Sequence, residues 1–433
     1  MFDVSRKKAW FGWCMYDWAN SAFATVILAS VLPVYFASLV PPGGAHISLF
    51  GLQRTMPASA LWGYAVSFSM LLVAVAAPWL GSHGDRRGIR RRLLIVFALV
   101  GAVATSLLAL AGPGQYLLAA GLFIIANVGF AAGNIFYNAF LPALAENSEL
   151  DRLSSRGFAL GYIGGGLMLL IAFLLIQFHG FFGFADKGSA TRGAFVLTGL
   201  WWGLFALPTF RYVREEVFVH KPAPLLRGLK GYLQIFAQVR RYPDLLLFLV
   251  AFLFYNDGIQ TVIAVSAIFG REELGLSQTT VLSVFLMIQF VAMPGSLLYG
   301  RAADRWGAKR SILGGLVLFI AVTIYAYTMQ KGWEFWVLGF VVALIYGGLQ
   351  AISRSLYAAL IPPGKSAEFF SFYAISGKFA SVVGPLLFAV IADLTGSTRL
   401  SILALAALFI IGLLLLAGVD VARGKAAALG DPS

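Results

Sequence analysis

Twelve stretches of mostly apolar residues, each about as long as a bilayer-crossing helix, punctuate this chain: 11–37, 60–80, 93–111, 116–141, 156–178, 194–210, 245–269, 280–300, 311–329, 335–361, 369–391 and 400–418. A helix needs roughly 20 such residues to cross the hydrocarbon core. In lipid the backbone amides of each run must be satisfied within the run itself, and a helix does this. Composition agrees: of 433 residues, 60% are hydrophobic and only 12% charged, whereas soluble domains hold roughly a quarter charged residues. So apolar a chain also falls outside the disordered class. An all-α membrane protein with twelve transmembrane helices is expected.

A net charge of +13 would suggest nucleic acid in a soluble protein, so the placement of the 32 Lys and Arg residues decides. Most lie before Trp10, in the loops 81–92, 142–156, 211–241 and 301–310, or after 418. Arg54, Lys187, Arg192, Arg271, Lys331 and Arg399 fall on the opposite side. This alternation follows the positive-inside rule and puts both termini in the cytoplasm. The basicity is topological, and no nucleic-acid partner is expected. Cys14 stands alone, so no intramolecular disulfide or cysteine metal cluster is available. The first run is too long for a signal-peptide core and reads as an uncleaved span. His46, His83, His179 and His220 all fall between the apolar runs, which argues against a histidine proton relay.

The longest polar interruption follows the sixth run. It divides the chain into an N-terminal six-helix bundle (1–210), a cytoplasmic linker (211–243) and a C-terminal six-helix bundle with a short cytoplasmic tail (244–433). The halves repeat. Asn20-Ser-Ala-Phe-Ala-Thr25-Val26-Ile27 in the first helix matches Asn256-Asp-Gly-Ile-Gln-Thr261-Val262-Ile263 in the seventh. Tyr137-Asn-Ala-Phe-Leu-Pro142, ending the fourth, matches Tyr357-Ala-Ala-Leu-Ile-Pro362, ending the tenth. Internal repeats of this kind indicate bundles of like architecture.

The basic loops repeat as well: Gly81-Ser-His-Gly84-Asp85-Arg86-Arg87-Gly88-Ile-Arg90-Arg91 faces Gly300-Arg-Ala-Ala-Asp304-Arg305-Trp-Gly307-Ala-Lys309-Arg310. In both, a glycine, an Asp-Arg pair, a second glycine and a basic cluster follow in order, and this resembles the signature of the major facilitator superfamily. The resemblance implies two pseudo-symmetric six-helix bundles rocking about a central substrate site. It also implies that Gly81, Asp85, Arg86, Gly88 and Arg90, with Asp304 and Arg305, form a gating motif.

Ionisable residues inside a bilayer are functional candidates because each costs about 2.5 to 3.5 kcal/mol at mid-depth on insertion scales. Few are present. Asp17 and Asn20 share a face of the first helix; Asn256 and Gln260 share one in the seventh, with Asp257 turned about 100° away. Asn127, Asn134 and Asn138 form a polar stripe on the fourth helix, and Gln350 and Arg354 lie four apart on the tenth, Arg354 matching Asn134 in the repeat. Lys378 adds a cation in the eleventh, in line with Ser371 and Ser381. Two carboxylates and two cations suit a zwitterion. Lys378 or Arg354 would take its carboxylate, Asp17 or Asp257 its ammonium, and Asn20, Asn134 and Asn256 would orient it. Asp17 and Asp257 are also the proton-coupling candidates, with H+ as the candidate coupling ion and no cofactor or metal expected. Pairing of the four charges with one another is the structural alternative. Gly157, Gly161 and Gly165 have the spacing of a close helix–helix contact. Trp10, Trp13, Trp62, Trp201, Trp202, Trp333 and Trp336 read as interfacial anchors.

Gly12-Trp13-Cys14-Met15-Tyr16-Asp17-Trp18-Ala19-Asn20-Ser21-Ala22-Phe23 resembles the opening of a narrower branch, the unknown major facilitator family. Tyr255-Asn256-Asp257-Gly258 and the stretch from Glu368 through Ser376-Gly377-Lys378-Phe379 to Gly384-Pro385 resemble it too. That branch contains bacterial transporters and the fungal autophagy-related vacuolar effluxers of amino acids. The expectation is a secondary transporter of a small polar or zwitterionic solute, foremost an amino acid. It would act as a monomer in a bacterial-type inner membrane. Efflux of hydrophobic drugs or metabolites and sugar transport stand as alternatives. No zinc-protease motif, nucleophile elbow or phosphate-binding glycine loop is present, so an enzyme is not expected.

Overall fold

A computed structural model describes residues 2–49, 52–140, 144, 150–214, 239–361, 373 and 383–430. The first span opens as α1 (Phe2–Ala22), passes through a π-helical stretch (Phe23–Ser30) and closes as α2 (Val31–Leu39). The wider winding is visible where the Val31 N–H donates to the Val26 carbonyl, five residues back. Ser30 Oγ donates to the Thr25 carbonyl at 2.5 Å, taking up an acceptor inside the wound stretch. An antiparallel hairpin follows, β1 (Ala45–Leu49) paired with β2 (Leu52–Met56) from Ala45 opposite Met56 to Leu49 opposite Leu52.

The helices then run α3 (Ala58–Arg87), α4 (Arg90–Leu107), α5 (Tyr116–Ala139), α6 (Leu150–Gln177), α7 (Lys187–Phe205) and α8 (Leu207–Tyr212). In the second half come α9 (Pro243–Leu274), α10 (Gln278–Trp306), α11 (Ala308–Thr328), α12 (Gly332–Ala359), α13 (Val383–Thr395), α14 (Thr398–Ala417) and α15 (Val421–Leu429). Local chemistry marks several ends. Asp186 opens α7 with a capping box through Ser189, and those donors hold its carboxyl below the usual carboxylate range. Pro243 starts α9, and Gly275, at φ 59°, ends it in the left-handed conformation.

Among the described residues, ten helices are long and apolar enough to cross a membrane. Two shorter apolar stretches, Gln278–Ala292 and Val383–Thr395, fall where the eighth and eleventh spans were expected. The chain divides into two compact units, one of residues 1–229 with Ser277–Ser283, the other of 230–276 with 284–433. Of the linker expected at 211–243, residues 215–238 lie outside the described ones.

In the first unit α1 lies along α6, and α5 packs on α3 and α4. The α1–α6 contact is glycine-made. A Cβ at Gly164 would sit 2.4 Å from the Trp18 carbonyl oxygen, one at Gly161 2.7 Å from Ser21 Oγ, and one at Gly165 2.5 Å from Thr25 Oγ1. Helix association in lipid rests on such close packing because lipid tails are as apolar as the side chains.

Three tryptophans differ from expectation. Trp62 and Trp202 are fully buried and Trp13 nearly so, because they pack inward among aromatic neighbours such as Phe36, Phe123, Phe23 and Tyr137. Trp333 and Trp336 are exposed, as interfacial anchors would be. His83, expected in a loop, lies within α3, whose helix runs on to Arg87.

The tail also differs from a plain extension. Asp420 caps α15 by accepting the Arg423 N–H at 3.0 Å. Arg423 then donates twice, at 2.7 and 2.8 Å, to the buried carboxylate of Asp244 in the first turn of α9, which also accepts the Asp420 N–H at 2.8 Å. Asp244 raises the pKa of the Arg423 guanidinium. The tail is thus a helix fastened to the second unit.

Candidate functional site

The polar residues expected on the first and fourth helices meet inside the first unit. Asn20 in α1, buried, donates through Nδ2 to Asn134 Oδ1 in α5 at 2.8 Å. One turn earlier on α1, Asp17 accepts from the Tyr137 hydroxyl at 2.8 Å. The Tyr137 ring is fixed by stacking on Trp13 (4.4 Å) and Tyr16 (5.0 Å), and Trp13 Nε1 donates to the Tyr137 carbonyl at 3.0 Å. Asp17 is half-buried beside these rings. A carboxylate held among aromatic faces is suited to a cation, since ring and carboxylate both attract positive charge.

The repeat carries over into the second unit as a second amide pair. Asn256 in α9, buried, accepts from Gln350 Nε2 in α12 at 2.8 Å. The repeat had set Arg354 against Asn134; the residue that pairs with Asn256 lies one turn earlier on the same helix. Arg354 belongs to helical α12 and its side chain lies outside the described residues, as does all of Lys378. Beside this pair, the Tyr255 hydroxyl donates to Ser353 Oγ at 2.7 Å.

Asp257 faces a different neighbour. Its Oδ2 accepts the Gly384 N–H of α13 at 2.7 Å, while its Oδ1 is buried without a hydrogen-bond partner among the described residues. The approach depends on glycine: a Cβ at Gly384 would lie 2.1 Å from Thr261 Oγ1 and 2.8 Å from Asp257 Oδ1. Thr25 and Thr261 correspond in the repeat, and each stands against a glycine of a neighbouring helix, Gly165 and Gly384.

The stripe on the fourth helix does not act as one. Asn127, fully buried, donates to Ser69 Oγ in α3 at 2.7 Å, Asn134 turns to Asn20, and Asn138 is exposed. Sequence reasoning passed over Tyr137, Gln350 and Gly384 as site residues. The signal for Tyr137 was its place in the repeat; that for Gly384 was a glycine beside Pro385.

The gating motif is described in part. Side chains of Gly81 through Arg87 and of Asp304 lie outside the described residues, and Arg305 is exposed. Gly88 (φ 59°) separates α3 from α4, and Gly307 (φ 86°) separates α10 from α11. Arg90 is half-buried. The next residue, Arg91, donates through Nε at 2.9 Å to the Phe210 carbonyl near the end of α8, with Nη2 on the same oxygen. In the second unit Lys309 donates to the carbonyls of Ala417 and Val419 at 2.8 and 2.7 Å. In both units a cation in the first turn of a helix therefore meets carbonyls at or just past the C-terminal end of another helix, the end that carries partial negative charge.

A family model described as "Vacuole effluxer Atg22 like" matches residues 5–429. An uncharacterised MFS-type transporter, YxiO of Bacillus subtilis, is 36% identical over 94% of each chain. Autophagy-related protein 22-1 of Penicillium rubens is 24% identical over 98% of this chain and 92% of its own. Among solved structures, a D-xylose-proton symporter superposes with a TM-score of 0.67 at 15% identity, covering 98% of this chain and all of that one.

Proposed function

From the premise that the chain belongs to the Atg22-like family of major facilitator transporters, we propose that it carries an amino acid across a bacterial-type inner membrane by alternating access, with both termini cytoplasmic. It is an integral membrane transporter of a small-molecule substrate. The observation that carries the reading is the Asp17–Tyr137 pair one turn from the Asn20–Asn134 pair. Asp17 would receive the substrate ammonium against the Trp13–Tyr137 rings, and Asn20 and Asn134 would orient it. On the other half, Asn256 with Gln350 offers a second amide pair, and Lys378 or Arg354 would take the substrate carboxylate. Asp17 and Asp257 would exchange the coupling proton. A fungal relative's name ties it to autophagy, and the family's description is that of an effluxer, which favours export.

The test is flux of labelled amino acids through purified protein in liposomes, for wild type, Lys378→Ala and Asp17→Asn. Transport of one amino-acid class by wild type, lost in Lys378→Ala while the protein inserts and melts normally, is the expected result. Transport confined to lipophilic compounds and indifferent to both substitutions would overturn it.

A further inference from the structure

The end of the second unit that holds the tail carries a cavity of about 620 Å³ that the transport reading does not use. Its walls come from four elements: the turn into α11 (Trp306, Lys309, Arg310), the end of α12 (Leu356, Ala359), the end of α14 and the tail helix α15 (Lys425). Among the described residues Asp420 is the one acidic residue lining it, against three basic ones. That carboxylate already accepts the Arg423 N–H as the cap of α15. Lys309 is held to the carbonyls of Ala417 and Val419, so the negative end of α14 is neutralised from within the cavity. Arg310 and Lys425 have no ion-pair partner among the described residues, and both are exposed.

The first turn of α11 adds to this positive field. Gly307 precedes it and, having no side chain, caps none of the leading amides of this 21-residue helix. Trp306, 61% exposed, stands at the same rim. Exposed tryptophan beside a basic cluster at a span end is the pattern of a bilayer interface, and basic pockets between helix ends there receive phosphate head groups.

We propose that this cavity binds a phosphate-bearing anion, held between Arg310 at the start of α11 and Lys425 on the tail helix. A phosphate there bridges the start of α11 to the tail helix, beyond the contacts of Lys309 with Ala417 and Val419, and so adds to the fastening that Asp244 and Arg423 supply. The ligand chemistry fits the head group of an acidic phospholipid or free phosphate, and the experiment separates the two sources.

The full chain, purified in detergent, would be titrated with phosphatidylglycerol, phosphatidylcholine and inorganic phosphate, following the melting temperature and the lipid retained in native mass spectra. Wild type is compared with Arg310→Gln/Lys425→Gln, with the charge-conserving Arg310→Lys/Lys425→Arg, and with Lys331→Gln in another loop. The expected result is a rise in melting temperature with phosphatidylglycerol or with phosphate, kept in the charge-conserving and Lys331 variants. Affinity should fall about thirty-fold in the double glutamine variant, the effect of removing two basic residues beside an anionic head group. A response to phosphatidylglycerol alone assigns the lipid, and an equal response to phosphate assigns the free anion. No rise with either, or an undiminished rise in the double glutamine variant, overturns the proposal. Should the glutamine variant fail to fold, loss of the response in Lys425→Gln alone carries the test, and an undiminished response there overturns it.

Discussion

Changing Gly164 to alanine sets two known effects against each other at a place where the geometry decides the winner. Alanine is the better helix former by about 1 kcal/mol. Its Cβ, however, would stand 2.4 Å from the Trp18 carbonyl oxygen and 2.9 Å from Trp18 Cα. Those atoms are backbone, so no rotamer change relieves the clash, and α1 and α6 must separate by on the order of 1 Å. Overpacking of this kind costs about 1–3 kcal/mol, and an unyielding neighbour puts it at the upper end. The net expectation is a loss of about 2 kcal/mol, obtained by setting the overpacking cost against the propensity gain. Gly121 in α5 supplies the control, since a Cβ there meets nothing within 4 Å. Gly121→Ala should stabilise by up to about 1 kcal/mol. Thermal unfolding of the two variants in one detergent should therefore place them on opposite sides of wild type, several degrees apart. Melting of Gly164→Ala at or above wild type would refute the claim that backbone contact sets the α1–α6 distance.

Three further outcomes follow from particular contacts. Tyr137→Phe keeps the ring stack on Trp13 but removes the hydrogen bond to Asp17; amino-acid flux should drop at least tenfold with little change in melting temperature, and wild-type flux would detach Tyr137 from transport. Gly307 sits at φ 86°, ψ 149°, where a side chain is strained by about 1–3 kcal/mol, so Gly307→Ala should lower the melting temperature. Gly314→Ala, in open space on α11, should not. Arg423→Gln leaves Asp244 without its cationic partner; hydrogen exchange across Val421–Leu429 should quicken while α9 beyond its first turn stays protected, and unchanged exchange would show that the tail is held by other contacts.

Of the glycines in the α1–α6 contact, Gly164 falls one residue off the four-residue spacing and was not legible in the sequence, whereas Gly161 and Gly165 were, because small residues four apart on an apolar helix have one common use in lipid. The same holds for the concentration of Asn, Asp and Gln on the first, fourth, seventh and tenth helices, where polarity is costly enough to stand out against its surroundings. Less could be read about individual partners. Asn127 and Asn134 share a stripe on α5, yet one donates to Ser69 in α3 and the other accepts from Asn20 in α1. Trp62 and Trp202 lie near span ends, as interfacial tryptophans do, but face inward and are buried.

The apolar helices and the polar positions along them were determined by the sequence alone, because the bilayer makes hydropathy a local property: each run must satisfy its own backbone and match the hydrocarbon thickness. Which polar groups meet was decided only by the tertiary structure. Asn256 accepts from Gln350, Asp257 reaches the Gly384 amide, and Arg423 folds the tail back onto Asp244. Each of these depends on the rotation and depth of one helix against another. A rotation of 100° or a slip of one turn exchanges partners without altering the hydropathy of either helix.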